Sequence, residues 1–179
     1  MNILMLSGSP HRRGSTRRLA DAFADGAALA GHDVHFFDVG AQPAHPCLGC
    51  MHCRDTADGC VYDDVMREIY PRLLAADLVV LVTPLYYFGI CAQLKAVIDR
   101  FFAVNGALRA RQGVQAILLA ACGDKDDWAM DALRAHFSAI CRYLGWQERA
   151  SLLAVGVYTP DDFADSDYLA EANKLGASL

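Results

Sequence analysis

The sequence has few of the features that would place it in a membrane or on nucleic acid. No apolar run approaches the length of a transmembrane helix, and the first one, Ile3 to Leu6, is too short for a signal peptide. The formal net charge of −5 lacks the basic excess of a nucleic-acid-binding protein. We find no internal repeat, low-complexity tract or linker. Residues 1–179 are therefore predicted to form a single domain without membrane or nucleic-acid partners.

An export signal is also lacking, although the chain contains seven cysteines. An odd number of cysteines without an export signal argues against a disulfide scaffold and makes metal or redox chemistry the alternative to consider. We therefore expect a reducing, cytoplasmic setting. With 54% hydrophobic residues, the chain can bury a substantial core.

Apolar runs alternate with helical patterns along the chain. Strands are predicted at Asn2–Ser7, Asp33–Asp38, Leu78–Thr83, Val114–Ala121 and Ala150–Tyr158. Helices are predicted at Ser15–Leu29, Asp64–Ala75, Ala92–Val104, Trp128–Leu144 and Ser166–Leu175. Because the strand runs are continuously apolar, they are typical of strands buried on both faces. The pattern predicts an α/β fold with a doubly wound, five-stranded parallel sheet, helices on both faces, and ligands beyond the carboxyl ends of the strands.

The first strand leads into a loop of small, hydroxyl-bearing and cationic residues, Ser7 to Ser15, and then into a helix. Unpaired N–H groups and the helix dipole at such a helix start favour a phosphate. The spacing excludes two better-known phosphate-binding loops. A Walker A loop has four residues between its glycines and a lysine after the second, whereas here five residues separate Gly8 from Gly14 and no lysine follows. A dinucleotide-binding fingerprint has a second glycine at the position that Ser9 occupies in this chain. The loop suits a terminal phosphate monoester. An ordinary turn with Ser15 as N-cap is the alternative.

Three consecutive aromatic residues, Tyr86, Tyr87 and Phe88, follow the third strand between Pro84 and Gly89. A flat conjugated ring could lie on this surface, with backbone groups at its polar edge. The alternative is that the aromatic side chains cover the core or a subunit interface. Together with the phosphate loop, this segment favours one ligand that has a terminal phosphate and a planar ring system, a description that FMN meets.

Three segments of the sequence resemble the flavodoxin-like NADPH-dependent FMN reductases. Ser7 to Pro10 with Gly14 to Thr16 resembles the FMN-phosphate loop of that family. Thr83 to Phe101 resembles its isoalloxazine loop and the following helix, and Pro46 to Asp64 resembles the cysteine-rich insert of its iron–sulfur flavoprotein branch. The resemblance covers about the first 105 residues, and the later part matches only in its rhythm of strands and helices.

The resemblance implies a flavodoxin-like strand order of 2-1-3-4-5 and specific contacts to FMN. The implied phosphate contacts are Ser7, Ser9, His11, Arg13, Ser15 and Thr16. The implied ring contacts are Pro84, Leu85, Tyr86, Tyr87, Phe88, Gly89 and Gly123.

The resemblance also implies a reaction, in which a hydride passes from NAD(P)H to FMN and then to a quinone, nitro compound, free flavin or redox protein. No catalytic side chain is expected, because the chemistry is centred on the flavin. A homodimer or homotetramer is expected. The alternative is an iron–sulfur flavoprotein or flavodoxin-like electron carrier or redox sensor without NAD(P)H turnover.

A loop at about residues 45–62 contains four cysteines with the spacing C-x2-C-x2-C-x6-C: Cys47, Cys50, Cys53 and Cys60. Thiolates two residues apart can converge on one metal centre, and the resemblance implies a candidate 4Fe–4S cluster that exchanges electrons with FMN. Tetrahedral zinc, free thiols and a loop disulfide remain open. We expect the four thiols to lie together near a flavin, either in their own subunit or in a neighbouring one. The other cysteines, Cys91, Cys122 and Cys141, are expected in the core.

Overall fold

The computed structural model describes residues 1–56 and 58–179, apart from the side chain of residue 127. The strands in this part of the chain are β1 (Asn2–Ser7), β2 (Asp33–Asp38), β3 (Leu78–Tyr86), β4 (Gly89–Ile90), β5 (Gln115–Ala121) and β6 (Gln147–Ala154). The α-helices are α1 (Ser15–Leu29), α2 (His52–Asp55), α3 (Met66–Ala75), α4 (Ala92–Arg100), α5 (Asn105–Ala110), α6 (Asp131–Leu144) and α7 (Tyr168–Ala177). Short 3-10 helices occupy Phe101–Val104, Asp127–Met130 and Pro160–Asp165.

The parallel strands form a sheet in the order β2-β1-β3-β5-β6, which is the flavodoxin-like order when the short β4 is left out. The predicted fold class is therefore confirmed. The parallel sheet has the predicted five strands, and the short β4 adds a sixth strand that pairs antiparallel with the end of β3. A two-residue strand shows no periodicity, and it forms only because the chain turns back on β3.

The observed strand boundaries differ most from the predicted ones at β6. This strand begins at Gln147, where Ala150 was predicted, and ends at Ala154, where Tyr158 was predicted. β6 is an edge strand whose one partner among the described residues is β5, and its first three residues are exposed. An edge strand needs no continuous apolar run, so hydrophobicity alone placed it too late in the sequence. The residues after Ala154 form a loop instead.

Helices cover both faces of the sheet, as predicted. Leu4 and Leu6 of β1 join the core layer on the side of α3, α4 and α6, whereas Ile3 and Met5 join the layer on the side of α1 and α7. Alternate residues of β1 therefore pack into opposite core layers, which explains why this strand is continuously apolar. None of the helices in the described residues combines the length and apolar character that a membrane crossing requires.

Candidate functional site

A cleft of about 750 Å³ opens at the carboxyl edge of the sheet, and its lining comes from the ends of β1, β3, β5 and β6. This is the edge where doubly wound sheets bind their ligands. Nine of the predicted ligand-binding residues line it: Ser9, His11, Arg13, Ser15, Thr16, Pro84, Leu85, Tyr86 and Gly123. Four others do not line it: Ser7, Tyr87, Phe88 and Gly89.

The start of α1 carries the hydroxyl groups of the cleft. Ser9, Ser15 and Thr16 are 5%, 9% and 3% exposed. Gly14, not Ser15, is the N-cap, so the alternative of an ordinary turn capped by Ser15 is wrong. The Ser15 Oγ is buried and has no hydrogen-bond partner among the described residues. A buried hydroxyl without a partner is costly, and at an N-terminus with no acidic residue in its first turn it suits a phosphate oxygen.

Two glycines hold the phosphate loop against its neighbours. Gly8 accepts a hydrogen bond from the buried Cys91 Sγ at 3.2 Å, through its carbonyl oxygen. Gly40, just beyond β2, donates its N–H to the Ser7 carbonyl, and a Cβ at Gly40 would overlap the Ser9 carbonyl oxygen. Sequence reasoning missed Gly40. A glycine two residues after a predicted strand was the available signal, but the close approach to Ser9 arises only in the folded chain.

The predicted aromatic loop is the turn of the β3–β4 hairpin. Tyr87 and Phe88 have φ angles of 45° and 62°, in the left-handed region that side-chain-bearing residues rarely adopt. Tyr87 is fully exposed, and Phe88 stacks on Trp128 with ring centroids 5.0 Å apart. Side chains at a two-residue turn lie beyond the paired residues, which accounts for their absence from the cleft lining. Their contact with a ligand remains a prediction.

The loop after β6 contributes Val157 to Pro160 to the cleft, and sequence reasoning missed these residues because it extended β6 to Tyr158. Asp162 accepts hydrogen bonds from the N–H groups of Tyr158 and Thr159, at 3.0 and 2.7 Å. These bonds, led by those from Thr159, lower the pKa of the Asp162 carboxyl. The loop backbone is therefore held firmly while the Tyr158 side chain is exposed.

Two ionisable side chains of the cleft stay protonated near neutral pH. Burial raises the pKa of Tyr86, with smaller contributions from Cys91 and Tyr158. Burial also raises the pKa of Cys122. Since both groups ordinarily ionise above neutral pH, neither offers an anionic nucleophile or base here. The expectation that no side chain performs acid–base catalysis stays a prediction.

The four clustered cysteines line a second cavity of about 340 Å³, together with Leu48, Met51, Tyr62 and Phe102 among others. All seven cysteines are free, so a loop disulfide is not formed. Within residues 1–56 and 58–179, no three potential ligands from His, Cys, Asp and Glu lie close enough to hold a metal ion. The thiols therefore share one cavity without converging. Burial raises the pKa of Cys53, and the neighbouring thiols raise it further.

The two cavities share no lining residue within the described part of the chain. The cysteine loop packs at the carboxyl end of α4, where Asp99 and Phe102 line its cavity. The expected proximity of the cysteines to the flavin stays a prediction. The other three cysteines are buried, as predicted.

A buried ion pair fastens both ends of the cysteine loop to α4. Arg100 Nη1 donates to Asp64 Oδ2 at 2.9 Å and to the His45 carbonyl at 3.0 Å. Asp64 also accepts from the N–H groups of His45 and Met66. Burial alone would raise the pKa of Asp64, but the hydrogen bonds from Arg100 and the backbone outweigh it and lower the pKa. The Arg100 guanidinium also lies 5.1 Å from the Tyr62 ring centroid.

Comparison with known proteins adds a family match. The family model described as NADPH-dependent FMN reductase matches residues 1–155. An iron–sulfur flavoprotein of Methanocaldococcus jannaschii is 33% identical, over 75% of this chain and 68% of its own length. An iron–sulfur flavoprotein of Methanosarcina thermophila is 36% identical over 63% of this chain, and the match spans only 60% of that relative.

The fold is also shared with a solved structure. An NAD(P)H:quinone oxidoreductase from Methanothermobacter marburgensis superposes with a TM-score of 0.78 at 19% identity, covering 99% of this chain and 96% of that one. At this level of identity, the likeness establishes a common fold.

Proposed function

The chain belongs to the NADPH-dependent FMN reductase family, and from this premise we propose that it is an FMN-dependent NAD(P)H oxidoreductase. A hydride would pass from NAD(P)H to FMN, and electrons would then pass to a quinone, a nitro compound, a free flavin or a redox protein. The observation that carries the proposal is the buried, unpartnered Ser15 hydroxyl in a cleft that Tyr86 and Tyr158 also line. A phosphate site and aromatic walls in one cleft suit FMN.

In this proposal the chain binds and orients its cofactor. The hydroxyls of Ser9, Ser15 and Thr16 and the first N–H groups of α1 hold the phosphate, with His11 and Arg13 beside them. The segment from Pro84 to Tyr86 binds the ring, and the protonated Tyr86 phenol can donate a hydrogen bond. When bound, FMN supplies the hydride-transfer chemistry.

Anaerobic mixing of the FMN-loaded protein with NADPH or NADH tests the function. We expect rapid loss of the visible flavin absorbance with at least one of the two nucleotides, followed by reoxidation when a quinone is added. A protein reduced by dithionite but by neither nucleotide would contradict the reductase function and leave the electron-carrier alternative.

Replacing Ser15 with alanine is expected to weaken FMN binding roughly 10- to 100-fold, because a hydrogen bond to a charged phosphate contributes about 1.5–3 kcal/mol. Titration of the flavin-free protein with FMN measures the change. Ser138→Ala is the matched control, since the Ser138 hydroxyl bonds to Glu148 on the surface at 2.8 Å. Equal affinity in the wild type and Ser15→Ala would place the phosphate elsewhere.

We propose an iron–sulfur flavoprotein as the second candidate function. Two observations favour it: similarity to relatives with that name, and four thiols that line one cavity. Four thiolates are a suitable donor set for a 4Fe–4S cluster, and the loop would have to close around it for the thiols to converge. In that function, Cys47, Cys50, Cys53 and Cys60 would hold the cluster.

Anaerobic reconstitution with iron and sulfide tests this candidate. We expect about four irons and four sulfides per chain in the wild type, and loss of the cluster absorbance with retention of FMN in Cys53→Ser. Cys141→Ala, which changes a buried core cysteine on α6, is the control and should retain the iron. Zinc bound in place of iron, or no metal after reconstitution, would contradict the candidate.

We further propose that residues 1–179 form one domain and act as a cytoplasmic homodimer or homotetramer. Both core layers pack on the same sheet, which supports a single domain. Seven free cysteines support a reducing compartment. Exposed apolar side chains support an oligomer, among them Leu48, Met51, Val61, Phe102 and Tyr143.

A further inference from the structure

The loop after β6 contributes the Tyr158 side chain to the lining of the cleft. Tyr158 lies outside the family match, which ends at residue 155. The Tyr158 side chain is 85% exposed. Its backbone is nevertheless held on both sides. The Val157 N–H donates to the Cys122 carbonyl at 2.7 Å, and the Tyr158 N–H donates to Asp162 at 3.0 Å. An exposed ring on a fixed backbone at the edge of the cleft is therefore placed to contact a ligand bound there.

The Tyr158 ring occupies the space above Gly123. A Cβ at Gly123 would lie 2.8 Å from Cδ2 and 3.1 Å from Cβ of Tyr158, closer than packed carbon atoms approach. Gly123 is not among the residues with a positive φ, so its backbone does not require glycine. The space taken by Tyr158 therefore explains the glycine, and both residues line the cleft.

Tyr86 belongs to the same part of the cleft. It lies at the end of β3, next to the β5 strand that leads to Gly123, and it lines the cleft together with Tyr158. The two phenols are near enough for Tyr158 to contribute to the raised pKa of Tyr86, after burial and Cys91. Two tyrosines thus bound the region where a planar ring would bind.

We propose that Tyr158, and not the Gly123 backbone, forms the wall of the cleft against which the flavin ring binds, so that Tyr158 is a positioning residue. This inference rests on the proposed FMN-dependent function. Tyrosine and flavin rings both have flat π faces, and stacked aromatic groups gain energy beyond the area they bury. Gly123 then acts indirectly, by leaving room for the tyrosine.

A double-mutant cycle tests the inference on the full-length chain freed of flavin and titrated with FMN. We expect Tyr158→Ala to weaken FMN binding roughly 10-fold and Tyr158→Phe to bind nearly as the wild type does, because the ring remains. Gly123→Ala should also weaken binding, since its new Cβ displaces the tyrosine. Adding Gly123→Ala to Tyr158→Ala should cause no further loss, because the displaced ring is already absent.

Tyr143→Ala is the matched control, since Tyr143 is an exposed tyrosine on α6 that does not line the cleft, and its affinity should equal that of the wild type. Wild-type affinity in Tyr158→Ala would overturn the inference. The inference would also be overturned if Gly123→Ala lowered the FMN affinity equally in the wild type and in Tyr158→Ala, because Gly123 would then face the flavin ring directly. A wild-type chain that binds no FMN would overturn the proposed function along with the inference, whereas the first two results leave that function standing.

Discussion

Replacing Arg100 with methionine is expected to lower the free energy of unfolding by about 3–5 kcal/mol, as breaking a buried ion pair does. The Arg100 and Asp64 side chains are only 1% and 7% exposed. Methionine fills much of the space but leaves the Asp64 carboxylate buried without its cation. The His45 carbonyl loses a donor as well, so the cysteine loop loses its fastening at both ends. Denaturant unfolding at neutral pH measures the loss.

Two further variants separate the buried pair from general effects of removing an arginine. Arg67→Met removes the cation of the exposed Arg67–Asp63 pair nearby and should change stability little. Arg100→Met combined with Asp64→Leu should recover part of the loss, because no unpaired charge remains buried. Recovery should be incomplete, since Asp64 also accepts from two backbone N–H groups. A loss in Arg100→Met no larger than that in Arg67→Met would show that the pair does not stabilise the fold.

Replacing Gly40 with alanine is expected to cost about 3 kcal/mol of stability, at the upper end of overpacking effects. The new Cβ would overlap the Ser9 carbonyl and lie 3.1 Å from the Gly8 carbonyl oxygen. Both groups belong to the backbone of the phosphate loop, so the loop itself must move. FMN affinity should fall by about 100-fold, because displacing this loop disturbs two or more phosphate hydrogen bonds.

Thermal unfolding and FMN titration together check this prediction. Gly106→Ala is the control, because nothing lies within 4 Å of a Cβ at that position on α5. Alanine favours a helix over glycine by up to about 1 kcal/mol, so this variant should be as stable as the wild type or slightly more stable. If Gly40→Ala kept both stability and FMN affinity, the close approach of Gly40 to Ser9 would not matter for the site.

Local sequence patterns were sufficient for most of the fold. β1, β2 and α1 occupy the predicted residues. For β1 and α1 the reason is that an unbroken apolar run and a 3.6-residue apolar period each report the burial of a single element. The order of the parallel strands followed from the family resemblance. The candidate phosphate residues Ser9, Ser15 and Thr16 were identified because a strand, a hydroxyl-rich loop and a helix are contiguous in the chain.

The tertiary structure decided which distant residues share a surface. Gly40 reaches Ser9 and Tyr158 lies beside Gly123 because parallel strands bring their carboxyl ends to one edge, which no local pattern records. Arg100 appears in the sequence as an ordinary helical arginine, and only packing buries it against Asp64. The C-x2-C spacing correctly grouped the four thiols in one cavity, but only the folded chain shows that this loop packs at the carboxyl end of α4. Sequence thus determined the elements and their local chemistry, and long-range packing determined the walls of the site.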